Sequence, residues 1–342
     1  KDPAVKNADP VKALIALLAR WGKLGLTTAS ELALGSLSQS PADLKVMMAA
    51  AQSGQLKARI RAYPFYTLGA DAWDQAGVKP DDGNALARVV GYKLVADGSN
   101  QGFTGLQREP YLNSDDRGLA YMSIEDLKAQ AVDRARKGWQ LAIHGNGDAA
   151  IDNVLTALQA VSDAGVDMSR LRARIEHCSM LHDEQIAKMK SLKVSASFLV
   201  GHVHFWGVAM RDRIFGSQRV QRLVRARSVE QAGIGYSLHS DFMVTDPNPL
   251  HMIQMAVTRR TWQEPQFVLA PGERVSVESA IRAVTAEAAW QLRSEHEIGS
   301  LEAGKLADFV ILDQDPRRVD PERIKDIAVI ETWMDGQQVF SA

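Results

Sequence analysis

Seven strand-like stretches, centred near residues 29, 60, 92, 142, 174, 197 and 237, alternate with helix-like segments along most of this 342-residue chain. Strands alternating with helices at this spacing form βα units and a parallel sheet. Val11, Leu14, Ile15 and Leu18 recur at helical spacing; Ser123-Ile-Glu-Asp126 reads as a capping box; Asp148–Val161 and Asp183–Leu192 are further helices. A closed barrel of eight such units takes ~250 residues. Because the chain opens on a helix, the expectation is a TIM-type (β/α)8 barrel of the α/β class whose first strand lies upstream of Lys1. The alternative is an open doubly wound sheet, but its Gly-rich phosphate turn after an early strand is missing. From about Glu297 short β segments follow one another without helices, as in Phe309–Leu312 and Ile327–Thr332. The expected division is therefore a barrel over 1–296 and, over 297–342, a small β segment of a composite β-sandwich whose partner strands also lie upstream.

Composition removes several function classes. Forty basic and forty-one acidic side chains leave a formal charge of −1, which gives no electrostatic footprint for nucleic acid or an anionic membrane. No apolar run approaches the ~20 residues of a membrane span. Cys178 is the one cysteine, so no internal disulfide forms. The expected partner is a small-molecule substrate. Assembly into a homo-oligomer is left open, and so is the compartment.

In a βα barrel the reactive groups sit at the carboxyl ends of strands. Lys93 lies in Gly-Tyr-Lys-Leu-Val-Ala-Asp-Gly, His144 ends Leu-Ala-Ile-His, His177 ends Arg-Ile-Glu-His, and Asp241 follows Ser-Leu-His-Ser. Two imidazoles, a carboxylate and a lysine at such positions suit Zn²⁺ or a similar divalent ion. Each has a bland reading when taken singly: a histidine hydrogen-bonded at a strand end, a lysine reaching to water, an aspartate capping the next helix. Their joint occurrence favours a metal centre.

Together, Lys93 with Leu-Val-Ala-Asp-Gly, His144-Gly-Asn-Gly-Asp148, Ile175-Glu-His177, Ser240-Asp241 and the tail Ile298-Gly-Ser-Leu-Glu-Ala-Gly-Lys-Leu-Ala-Asp308 resemble the metal-dependent amidohydrolase superfamily, in its YtcJ-like branch, amidohydrolase family 3. The resemblance implies a barrel holding one or two divalent metals per chain, usually zinc. It implies that Lys93 is carbamylated and bridges two metals, that His144 and His177 bind one of them, and that Asp241 binds the other and shuttles protons. A water whose pKa a metal lowers would then attack an amide-type carbon–nitrogen bond. The alternatives are a cyclic amide, a dipeptide or an ester as substrate, and a catalytically silent relative that binds a ligand or regulates.

The family's first metal motif, a His-x-His after strand one, has no counterpart at that place. The His-x-His that is present, His202-Val-His204, follows the strand near residue 197 and reads as a loop element facing substrate, with Phe205 and Trp206 as an apolar wall. His202, Trp206, Arg108 and Tyr111 are the substrate-binding candidates. His239 shares a strand face with Asp241 and joins them. His182, His251 and His296 read as structural.

Overall fold

A computed structural model of the protein describes residues 9–342. Its strands are β1 (Thr28–Leu34), β2 (Arg59–Pro64), β3 (Ala87–Val89), β4 (Gly91–Val95), β5 (Gln140–Gly145), β6 (Arg174–His177), β7 (Ser195–Leu199), β8 (Tyr236–His239), β9 (Phe309–Leu312), β10 (Val329–Met334) and β11 (Gln337–Ser341). The chain divides into two compact units. One comprises the described residues up to Tyr92, with Leu292–Asp313 and Ala328–Ala342; the other comprises Lys93–Gln291 and Gln314–Ile327.

The first unit holds two sheets. In one, β1, β2 and β3 run parallel, with Thr28 opposite Arg59 and Ile60 opposite Ala87. In the other, β10 lies antiparallel between β9 and β11. The helix Pro10–Gly22 begins where its residues say it should: Asp9 accepts from the Val11 and Lys12 amides, and Pro10 sits at the first helical position. The late segment belongs with these early strands because buried charges tie them. Arg59 donates to both carboxylate oxygens of Asp308, and Arg61 donates to Ser294 Oγ at 3.1 Å and to Glu297 at 3.3 Å. A buried guanidinium is tolerated only when so paired. The two compact units part at residue 92 and again at residue 292.

In the second unit, five strands lie in the order β4-β5-β6-β7-β8. The pairings from β5 to β8 are parallel, with Gly145 opposite His177, His177 opposite Phe198, and Leu199 opposite His239. The carboxyl ends of β5, β6 and β8 therefore finish level with one another, and each of the three carries a histidine. Leu141, Ile143, Ile175 and Phe198 on the strands and Ile151, Val154 and Leu158 on the helix Asp148–Asp163 have no exposed surface. That apolar burial is the main force holding the layer together. Deeper in the sheet, Gln291 accepts from Ser237 Oγ and donates to the Ala196 carbonyl. Its own carbonyl accepts from Gln140 and Arg174. These buried polar groups pair with one another, as the low dielectric requires.

The structure redraws some local expectations. The single stretch expected near residue 92 is two strands in different sheets, β3 and β4; the Val90 amide still donates to Ala62 in the first sheet at 2.9 Å, and β4 joins the second. The helical stretch that begins at Val277 breaks at Thr285, whose φ of −126° and ψ of −95° leave the helical region. His202-Val-His204 is not a loop. It lies in the helix Gly201–Ala209. Among the described residues, no helix is long and apolar enough to cross a membrane.

Candidate metal centre

At the carboxyl ends of β5, β6 and β8 the side chains converge. Ligand-capable atoms of His177, His239 and Asp241 all lie within 4.8 Å of one another. His144 Nδ1 is 2.9 Å from His177 Nε2, so the two rings meet at the centre. The His177 and His239 rings are 5.1 Å apart. Lys93, in the middle of β4, is buried. Burial lowers its amine to about 8, against the pull of the nearby Glu176 and Asp241 carboxylates. All four residues of the expected ring are thus brought together, and His239 joins them. The chain bends sharply to present two of them: His177 and Asp241 have φ of 67° and 51°, in the left-handed region that side-chain-bearing residues seldom occupy. Such strain gathers at functional sites.

Protonation follows from the contacts. His144 Nε2 lies 2.8 Å from the Gly98 carbonyl and 3.3 Å from Asp97 Oδ1, neither of which can donate. Asn146 Nδ2 is 3.0 Å from the same nitrogen, but it also donates to the Gly98 carbonyl at 2.8 Å. The two acceptors decide the matter: His144 carries its proton on Nε2 and turns a bare Nδ1 toward His177. A carbonyl or carboxylate behind a ligating histidine is the usual support of a metal site. Burial drives His177 well below the ordinary imidazole range, with the neighbouring His144 and His239 adding to the effect. Burial lowers His239 too. Burial alone would raise Glu176, but the Arg174 guanidinium and the Lys93 amine bring it down to about 2.

Whether these residues suit a divalent cation is tested by their unsatisfied atoms. His177 Nδ1 and His239 Nε2 are buried and have no hydrogen-bond partner among the described residues. Buried polar atoms without partners are costly, and neutral imidazoles beside a carboxylate are the donor set of zinc-like ions. The residues fit.

Three groups that support this centre went unassigned in the sequence. Asp97 is fully buried; it accepts from the Asn146, Gly147 and Leu106 amides at 2.8–3.0 Å and so fixes the loop that follows His144. Asn146 and Ser179 link the Gly98 carbonyl, which accepts from His144, to His202. The quoted run Ala-Asp-Gly after Lys93 contained the signal for Asp97, a carboxylate in a turn at a strand end. The turn is tight at Gly147, where an added Cβ would stand 1.9 Å from the Leu106 carbonyl oxygen. Gly147→Ala is expected to destabilise the fold by about 1–3 kcal/mol, because the obstacle is backbone. A lowered urea midpoint with an unchanged m-value checks it.

The substrate-binding candidates scatter. His202 is buried, and its ring is 5.7 Å from that of Trp206, one helical turn on, which is half-buried. His204 points elsewhere, with its Nδ1 2.8 Å from the Arg260 carbonyl, so the His-x-His pair does not share a face; residues two apart on a helix diverge. Arg108 does not face the cluster as expected. Its guanidinium donates to both Asp152 oxygens and to Glu184, bracing the helices Asp148–Asp163 and Asp183–Leu192. Tyr111 is also corrected: its ring is buried between Phe103 and Phe215, and its hydroxyl donates to the Gly105 carbonyl.

The sequence profile of amidohydrolase family 3, described as the amidohydrolase family, matches residues 4–340. The chain belongs to the amidohydrolase family. This amidohydrolase chain is 32% identical over 293 residues to Protein LONG AFTER FAR-RED 3 of Arabidopsis thaliana, covering 83% of itself and 49% of that protein. It is 31% identical over 219 residues to the N-substituted formamide deformylase of Arthrobacter pascens, covering 64% of itself and 40% of the relative. It thus spans about half the length, or less, of these curated relatives. Among solved structures, a metal-dependent hydrolase of Pyrococcus furiosus matches with a TM-score of 0.77 at 25% identity, over 93% of this chain and 65% of that one. That likeness bears out the TIM-type α/β class expected from the sequence.

Proposed function

We propose that this amidohydrolase hydrolyses an amide-type carbon–nitrogen bond in a small molecule, with a divalent metal, zinc by preference, held by His144, His177, His239, Lys93 and Asp241. The observation that supports this most is the group of ligand atoms of His177, His239 and Asp241 within 4.8 Å, beside ring nitrogens that have no other partner. A bound cation would supply Lewis acidity to the scissile carbonyl. Asp241, the exposed member of the cluster, can reach both water and substrate. It takes one proton from the attacking water as the C–O bond forms, and gives it to the nitrogen as the C–N bond breaks. Lys93 is proposed to react with carbon dioxide, forming an N–C bond and releasing a proton. The resulting carbamate is an anion beside Glu176, and it persists only when cations neutralise it. Metal and carbon dioxide uptake are therefore coupled.

For the substrate, the likeness to a relative named as an N-substituted formamide deformylase favours an N-acyl or N-formyl amide. A second reading, a ligand-binding protein without turnover, draws on the likeness to LONG AFTER FAR-RED 3, whose name carries no activity. Elemental analysis of the full-length protein, followed by a panel of N-acyl and N-formyl amides, separates the two. One to two equivalents of divalent metal per chain and turnover of at least one amide class are expected. A protein that binds no metal when supplied with zinc, and hydrolyses none of the panel, would leave the second reading in place.

A further inference from the structure

The tautomer of His202 is set by a chain of hydrogen bonds that leaves little freedom. Asn146 Nδ2 donates to the Gly98 carbonyl at 2.8 Å, so the amide cannot be turned round without setting two oxygens against each other. Asn146 Oδ1 therefore faces Ser179, and the Ser179 hydroxyl donates its one proton to it at 2.6 Å. Having spent that proton, Ser179 Oγ can only accept from His202 Nδ1, 3.1 Å away. His202 is neutral, since burial takes it down to about 3. A neutral imidazole with its proton on Nδ1 has a bare lone pair on Nε2.

That lone pair is conspicuous. His202 Nε2 is buried and has no hydrogen-bond partner among the described residues, and the residue is 1% exposed. The titratable groups whose charge the ring feels are His239 and His144, both of the metal centre. The ring cannot swivel away, because Ser179 holds one side and the Trp206 indole packs against it one turn on. A buried acceptor without a donor is an incomplete hydrogen bond, and the group that completes it gains what an apolar group of the same size forfeits.

We infer that His202 is a specificity-determining acceptor: its Nε2 receives the N–H of a secondary amide, so the protein selects substrates whose scissile nitrogen carries a hydrogen over N,N-disubstituted amides and esters. This rests on the proposed hydrolase activity and names the substrate class within it. The hydrogen bond would also orient the nitrogen for the proton that Asp241 delivers. Asn146 and Ser179 act through His202 as positioning residues.

The test uses the metal-loaded full-length protein and a matched pair, an N-alkylformamide and its N-methylated counterpart. The wild type is expected to favour the N–H amide by about tenfold or more in kcat/KM, and His202→Phe is expected to bring the ratio near one. Ser179→Ala keeps the imidazole but frees its tautomer, so the ratio should fall part of the way. With histidine ring nitrogens labelled with ¹⁵N, the His202 signals, identified by their loss in His202→Phe, should show a proton on Nδ1 in the wild type and mixed tautomers in Ser179→Ala. A wild-type proton on Nε2, or a preference that survives in His202→Phe, overturns the inference. Should neither amide be hydrolysed, the proposed activity falls while the inference is still decided, by calorimetric binding of the same pair. Tighter binding of the N–H amide, lost in His202→Phe, supports it; equal binding in the wild type sinks it.

Discussion

Asp241→Asn is expected to lower turnover of an amide substrate by about 10²–10⁴-fold, the range a positioned general acid–base group contributes, while divalent metal stays bound. The substitution is clean for a backbone reason. Asp241 has φ of 51°, in the left-handed region, where asparagine is among the few side-chain-bearing residues at ease. The turn it begins, in which the Val244 amide donates to the Asp241 carbonyl, is made by main chain and survives. What changes is the ability to hold a proton, because an amide does not accept one near neutral pH. His144, His177 and His239 remain to hold the cation. Measuring kcat and metal content on the same preparation gives the answer. Unchanged turnover would remove Asp241 as the proton carrier. Loss of metal together with turnover would make it foremost a ligand, and the proton route would need another residue.

The strand ends were readable in advance because a parallel strand buried on both faces writes a continuous apolar run, and the first polar residue that closes it has few places to go. Leu-Ala-Ile-His144 is such a closure; Arg-Ile-Glu-His177 alternates charged and apolar residues and was legible only from its place in the strand–helix rhythm. Both histidines stand at the carboxyl ends of their strands. His202 and His204 were harder. Gly201–Ala209 is apolar nearly all round, so periodicity gave no helical stripe, and the histidine pair drew attention as a motif. Arg108 and Tyr111 were chosen for chemistry that could serve a substrate. Their partners Asp152, Glu184 and Gly105 depend on how the long loop after β4 folds back, which no local pattern encodes. The links Asp97–His144 and Ser179–His202 join residues 47 and 23 positions apart, and only tertiary packing reveals such pairs.

Lys93→Ala is expected to lower metal affinity at least ~100-fold, more than loss of an outer-shell partner does, and to abolish turnover with it. The alternative role for a buried lysine here is plain charge balance, since its ammonium lies near the Glu176 and Asp241 carboxylates. The two roles respond oppositely to an added anion. If Lys93 supplies an anionic oxygen as a carbamate, a short carboxylic acid such as acetate or propionate entering the space left by the side chain restores part of the metal binding. If it supplies a positive charge beside Glu176, an added carboxylate worsens the imbalance and restores nothing, whereas a small alkylamine does better. Calorimetric zinc titration of the variant with each additive reads this without reference to activity. Recovery by the acid and not the amine supports the carbamate. Recovery by the amine alone makes Lys93 a counter-charge to Glu176, and the metal would then rest on the three histidines and Asp241.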